Sequence, residues 1–274
     1  MPTRFARTTF WLLLLALTAA LAACAPTATP SPSTTGRTFV LVHGAWMGAY
    51  SWTAVKRSLE QAGDRVITLD LPGHGDDPAP LDRLSFADDR DAVLRAIGDR
   101  TNVVLVGHSF GGLVISAVAE DAPNKISKLV YVAALLPQNG DSLLSLSSQD
   151  QGSRVLANVE QQNPQAGTPV TIKASAIPGV FAADASPEVQ ALLVRRHRAE
   201  AFPPLATPVT LSAGRYGAVP KYYVETLRDN AVSHDFQLQM LGRVPVVQRF
   251  ALDTSHVPFF TRSAELAAIL HGLK

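Results

Sequence analysis

The chain has 274 residues, with 24 Lys and Arg against 23 Asp and Glu and a formal net charge of +1. This balance, without a basic run, excludes the electrostatic footprint of a nucleic-acid binder. Hydrophobic residues make up 47%, enough for one large α/β domain, and a single cysteine rules out an intrachain disulfide or a cysteine-based metal site.

Arg4 and Arg7 precede an apolar stretch at residues 10–21, the layout of an export signal. The run is short for a spanning helix. It ends in Leu21-Ala22-Ala23-Cys24, which resembles the bacterial lipobox. That resemblance implies a signal peptide at residues 1–23 and a mature chain whose Cys24 carries a diacylglyceryl thioether. A second acyl chain would make the anchoring stable. The expectation is an exported protein, lipid-anchored to the bacterial cell envelope; the alternative is an ordinary secretory signal with a chance cysteine. Residues 24–37 are rich in Pro, Ser and Thr and read as a tether.

A catalytic domain is expected over residues 38–274. Residues 38–42 form the first strand and run into His43-Gly44-Ala45-Trp46. Residues 51–62 have helical spacing and stop at Gly63. Residues 66–69 are the next strand and end in Asp70-Leu71-Pro72-Gly73-His74-Gly75, a tight structural turn. A metal site at His74, Asp76 and Asp77 is the weaker alternative, since no further residue has ligand spacing. Ser85 caps the next helix with Asp88 in an approximate capping box. Residues 103–106 are a buried strand, 111–119 an apolar helix and 128–134 another strand. This alternation predicts a mostly parallel sheet with helices on both faces. Residues 137–217 break the pattern and read as a helical cap inserted over the site. Within it, Arg195, Arg196, His197 and Arg198 read as a solvated helix face. The core resumes with a strand at 220–225, a helix through 241, a strand at 246–250 and a last helix at 263–270.

Gly107-His108-Ser109-Phe110-Gly111 matches G-x-S-x-G between a strand and a helix. In that context the motif is a nucleophile elbow, with Ser109 exposed at the carboxyl end of the sheet. A serine hydroxyl needs a base. His256, on the loop after the last strand, is the candidate, and Asp229, after the preceding strand, would orient it. The order Ser109, Asp229, His256 is the one this arrangement uses. Asp253 and Asp235 compete for the acid; Asp253 is read as bracing the histidine loop. The N–H of Phe110, and that of Ala45 in the early loop, are the oxyanion donors. His43 is read as structural. His108 is read as facing away from the serine.

Several stretches together resemble the plant methylesterase and hydroxynitrile lyase branch of the α/β-hydrolases and its bacterial esterase relatives. They are Phe39 to Ala45, Gly48 to Trp52, Val104 to Leu113, Tyr223 to Val232 and Ser255 to Pro258. The resemblance implies the α/β-hydrolase fold and a serine esterase acting on small esters. It puts the triad on Ser109, Asp229 and His256, the oxyanion donors on Ala45 and Phe110, and implies no metal or organic cofactor. The lyases of this branch carry a threonine after the first histidine of the early loop and a lysine after the catalytic histidine. Here these positions are Gly44 and Val257, which favours an esterase over a lyase; a non-catalytic binder on a hydrolase fold is the other alternative. Trp46 replaces the cysteine of the plant enzymes.

Overall fold

The computed structural model describes residues 36–161 and 167–274. The expected signal peptide, Cys24 and the tether through residue 35 lie outside the described residues. Arg37, one residue before the expected boundary, already packs onto the domain. Its N–H donates to Asp64 Oδ1 at 3.1 Å and its guanidinium to the carbonyl of Leu273 at 2.6 Å.

Six strands make the main sheet: β1 (Thr38–Val42), β2 (Arg65–Thr68), β3 (Val103–His108), β4 (Ile126–Val132), β7 (Lys221–Thr226) and β8 (Gln248–Leu252). Their order is β2-β1-β3-β4-β7-β8 and every pairing is parallel. Parallel strands need crossovers, and the helices supply them. They are α1 (Thr53–Gln61), α2 (Phe86–Ile97), α3 (Gly111–Asp121), α8 (His234–Arg243) and the C-terminal pair α9 (Pro258–Thr261) and α10 (Ser263–Gly272). α1 packs with α10, and α2 with α3. Every residue of β3 is buried, because helices cover both faces of a doubly wound sheet. The same logic applies to α3, whose residues from Gly111 to Ala119 are all buried; a helix apolar all round belongs inside.

β8 lies two residues later than its apolar pattern predicts. As an edge strand it carries exposed polar residues, Gln248 and Arg249, while Val247 stands 64% exposed in the approach to it. The apolar signal therefore marks the approach rather than the strand.

Between β4 and β7 the insertion contains α4 (Leu143–Ser147), β5 (Pro169–Val170), α5 (Ile177–Phe181), α6 (Pro187–Arg196), β6 (Glu200–Ala201) and α7 (Phe202–Ala206). It is not purely helical: β5 and β6 pair antiparallel. Local signals shape its helices. Ser142 accepts from the Ser145 N–H at 3.1 Å, and Ser186 caps α6 ahead of Pro187. Leu146, Ile177, Val180, Phe181, Leu193 and Leu205 bury their side chains in the main hydrophobic cluster.

α3 lies hard against the segment after β4 at Gly112, where a Cβ would stand 2.1 Å from the Leu135 carbonyl oxygen. Gly112→Ala is expected to force backbone apart and destabilise the fold by about 1–3 kcal/mol or more, read as a lowered Tm. An unchanged Tm would mean that α3 sits farther from the end of β4 than described.

Candidate active site

β3 ends at His108 and α3 starts at Gly111, so the chain reverses within two residues. Ser109 takes φ = 51° to do so, a left-handed conformation that costs an L-residue roughly 1–2 kcal/mol. The flanking glycines are steric requirements. A Cβ on Gly107 would meet the Gly111 oxygen at 2.5 Å, and one on Gly111 would meet the His43 oxygen at 2.7 Å. The turn is held by the Ser109 carbonyl, which accepts from the N–H groups of Gly112 at 3.0 Å and Leu135 at 3.1 Å.

Asp229 follows β7 and His256 follows β8, so both reach the same sheet edge as Ser109. His256 Nδ1–H donates to Asp229 Oδ2 at 2.8 Å, with both side chains buried. Asp229 Oδ1 accepts from the N–H groups of Ala231 and Val232 at 2.8 and 2.9 Å, and Oδ2 also from the Thr226 hydroxyl at 2.8 Å. Gln237, fully buried on α8, organises this loop. Its Oε1 accepts from Thr226 N–H at 3.0 Å and its Nε2 donates to Thr226 Oγ1 at 3.0 Å and to the Val232 carbonyl at 2.8 Å. Gln237 escapes sequence reasoning; its one signal is a polar residue beside Phe236 on the buried face of a helix that closely follows the acid.

The side chain of the residue before the serine is tied to the backbone of the histidine. His108, adjacent to Ser109, donates from Nε2–H to the carbonyl of His256 at 2.8 Å, and its ring lies 4.5 Å from that of His256. His108 Nδ1 is buried without a partner. Burial, then the neighbouring His256, hold its pKa well below 6.5 and keep it neutral. Ser109 itself is half-buried, and its hydroxyl makes no hydrogen bond among the described residues.

The early loop lies against the elbow. A Cβ on Gly44 would meet Ser109 Cβ and His108 Nδ1, both at 2.7 Å. His43 is buried and holds this loop. Its Nδ1–H donates to the Gly44 carbonyl at 2.8 Å while Nε2 accepts from Leu71 N–H at 3.0 Å. Burial, then the charge of His74, pushes its pKa down to about 3. The Gly44 carbonyl belongs to the same peptide group as the Ala45 N–H. Neither the Ala45 nor the Phe110 N–H has an acceptor among the described residues.

A hydrolase elbow, an acid–histidine pair and an early His-Gly loop on one sheet edge describe a family, and its sequence model, described as alpha/beta hydrolase family, matches residues 39–269. The chain belongs to the alpha/beta hydrolase family. It is 31% identical over 245 residues to the chloroplastic methylesterase 11 candidate of Arabidopsis thaliana, covering 85% of this chain but 62% of that one. The chain thus spans less than two thirds of some of the curated relatives it matches. It is 30% identical to methylesterase 7 of Arabidopsis thaliana, covering 85% of this chain and 94% of that one, and 29% identical to methyl jasmonate esterase 1 of Vitis vinifera, covering 86% and 96%. Among solved structures it is similar to polyneuridine aldehyde esterase (TM-score 0.78, 26% identity, 86% and 98% coverage) and to a pyrethroid hydrolase (TM-score 0.74, 26% identity, 86% and 97% coverage).

The hydrolase's insertion reaches the site through Phe181, whose ring lies 5.8 Å from both the His256 ring and that of Trp46. Trp46 also walls an apolar cavity of ≈ 290 Å³ in the insertion, together with Leu143, Val155, Val159, Val170 and Phe202. Asp253 pairs with Arg228 at 2.7 Å, linking the histidine loop to the acid loop. The Arg195–Arg198 run is not simply a solvated face. Arg196 binds Asp76 at 3.0 Å and stacks over Tyr50, and Arg198 donates to the carbonyls of Gly75 and Asp77 at 3.0 and 3.1 Å. The run clamps the insertion onto the core, because the turn after β2 offers it carboxylates and free carbonyls.

His74, Asp76 and Asp77 do not converge on a common point. His74 Nε2 donates to both oxygens of Glu200 at 2.8 and 2.9 Å and Nδ1 donates to the Pro72 carbonyl at 3.0 Å. Two donating nitrogens make the ring an imidazolium. Burial opposes that charge but Glu200 outweighs it, so the pKa rises to about 9. Beside this pair, Asp89 Oδ2 is buried without a partner, and burial raises the Asp89 pKa to about 7.

Both shifts have the same sign for stability. The native state holds the Asp89 proton between pH 3.8 and about 7, and the His74 proton between 6.5 and about 9, where the unfolded chain has released them. Each contribution is therefore present at low pH and lost as pH rises through its window. Asp89→Asn removes the first. Relative to wild type, its Tm is expected to be higher at pH 8 than at pH 5. A parallel offset at both pH values would show that Asp89 is ionised in the native state throughout.

Proposed function

We propose that the chain is a serine carboxylester hydrolase working through an acyl-serine intermediate. One observation carries this reading: the His256–Asp229 hydrogen bond at 2.8 Å forms on the same sheet edge as a serine at φ = 51° in a strand-to-helix elbow. In the reaction, His256 takes the proton of Ser109 Oγ as the oxygen attacks the ester carbonyl. Asp229 fixes the tautomer that leaves Nε2 free as base and stabilises the imidazolium formed. The N–H groups of Ala45 and Phe110, which have no acceptor among the described residues, receive the developing oxyanion. His256 then protonates the departing alcohol, and a water activated by the same ring releases the acid. The esterase names of the relatives support the reading.

Two observations weigh against the lyase alternative. Val257 is fully buried, so no cation follows the histidine. The 2.7 Å approach of a Gly44 Cβ to Ser109 Cβ leaves no room there for a threonine side chain. A further part of the proposal concerns the N-terminus: signal removal before Cys24, acylation of its thiol and anchoring on the bacterial cell envelope. The lipobox-like residues 21–24 support it. Labelled palmitate should enter the expressed full chain and be lost in Cys24→Ala; equal labelling of both would overturn that part.

The central test is hydrolysis of p-nitrophenyl esters of graded acyl length. Ser109→Ala should lower kcat by about 10⁶ if the subtilisin case transfers, and Asp229→Asn by about 10⁴. Turnover that survives in Ser109→Ala, or none in a folded wild type with any ester, would overturn the esterase reading.

A further inference from the structure

Trp46 is the residue after the oxyanion donor Ala45, and its φ is 61°. For a bulky side chain this left-handed conformation is an outlier, so the surroundings must enforce it. Among the described residues, every hydrogen-bond partner of Trp46 lies in the insertion. Glu200 Oε1 accepts from Trp46 N–H. The Arg198 N–H donates to the Trp46 carbonyl at 3.5 Å. Trp46 Nε1–H donates to the Val170 carbonyl at 3.0 Å, and the His197 ring stacks on the indole at 6.3 Å and 11°.

Glu200 is itself immobilised. It is 1% exposed and takes both His74 hydrogen bonds, so its charge is paired as burial demands. His74 is anchored in turn to the Pro72 carbonyl. A rigid line therefore runs from the turn after β2, through His74 and Glu200, to the peptide joining Ala45 to Trp46. The preceding peptide, which carries the Ala45 N–H, is held from the core by His43. Oxyanion donors act because they are aimed before charge develops. Fixing one peptide while its neighbour swings would leave that aim loose.

We infer that Glu200, on the insertion, is a positioning residue for the oxyanion loop, holding the Ala45–Trp46 peptide through the Trp46 N–H. The inference rests on the esterase reading above. It makes seating of the insertion a condition for an ordered oxyanion hole. A merely structural clamp would change Tm and KM but not kcat.

The test uses Glu200→Ala, Glu200→Asp and Glu200→Gln in the full chain. Steady-state kinetics are measured on a p-nitrophenyl ester, and amide hydrogen exchange over residues 43–48. Glu200→Ala should lower kcat about 10–100-fold, less than the 10²–10³ for deleting a donor outright, with KM nearly unchanged and faster exchange. Glu200→Asp keeps the charge but stops one methylene short of Trp46 N–H, so it should fall with Ala; it decides the matter if Ala does not fold. Glu200→Gln should recover near-wild-type kcat and exchange, since its Oε1 still accepts from Trp46 while Nε2–H donates to an unprotonated His74 nitrogen. Unchanged kcat and exchange in a folded Asp or Ala variant, an effect on KM alone, or Gln no better than Ala would each overturn the inference. The exchange arm does not depend on turnover, so a Ser109→Ala variant that stayed active would sink the esterase reading while leaving the hold on Trp46 separately decided.

Discussion

The structure depends on one reversal of the backbone, at Ser109. Strand β3 must become helix α3 almost without a loop, and Gly107 and Gly111 allow this because a side chain on either would strike backbone oxygen. The left-handed serine is disfavoured by roughly 1–2 kcal/mol. It persists because β3 is buried throughout and α3 is buried from Gly111 to Ala119, so neither can shift to relieve it. The reversal also sets the address of the site. Ser109 stands at the carboxyl edge of a parallel sheet, where β7 and β8 also end, so the loops that carry Asp229 and His256 open on the same edge. Open parallel sheets place their sites at this edge for that reason.

Around this point the molecule buries several polar groups and treats them in two ways. Asp229 is surrounded by donors: two backbone N–H groups, the Thr226 hydroxyl and His256, with Gln237 holding the frame. Glu200 is likewise paired, with His74 and Trp46. Asp89 has no such company at Oδ2, and burial drives it towards the protonated form. The difference follows from the high free energy of an unpaired buried charge. It also divides labour. Asp229 and Glu200 hold the His256 ring and the Trp46 N–H in place, while the burial of Asp89 makes stability depend on pH.

Much of this was legible from residues alone. Continuous runs such as Val103 to Val106 mark parallel strands because both of their faces are covered. Gly107 to Gly111 identifies the elbow because few residue types tolerate that turn. The chain order of Ser109, Asp229 and His256 points to one sheet edge, and the structure brings the latter two to 2.8 Å. β8 was misplaced by two residues because an edge strand loses the apolar pattern of a central one. Gln237 was invisible because an isolated glutamine on a helix carries no periodic signal.

What sequence by itself determined was local: which segments could be strand or helix, where the backbone must turn tightly, and which side chains could carry nucleophile, base and acid. Those properties live in neighbouring residues, in periodicity, steric allowance and intrinsic chemistry. Tertiary structure alone decided that Arg196 and Arg198 bind the turn after β2, that His74 is charged while His43 is not, and that Glu200, 154 residues after Trp46, takes hold of its backbone. Each depends on which distant group arrives within hydrogen-bond reach, and for His74, His43 and Glu200 that happens out of reach of water. Burial multiplies the worth of such a contact, yet no pattern along the chain records it.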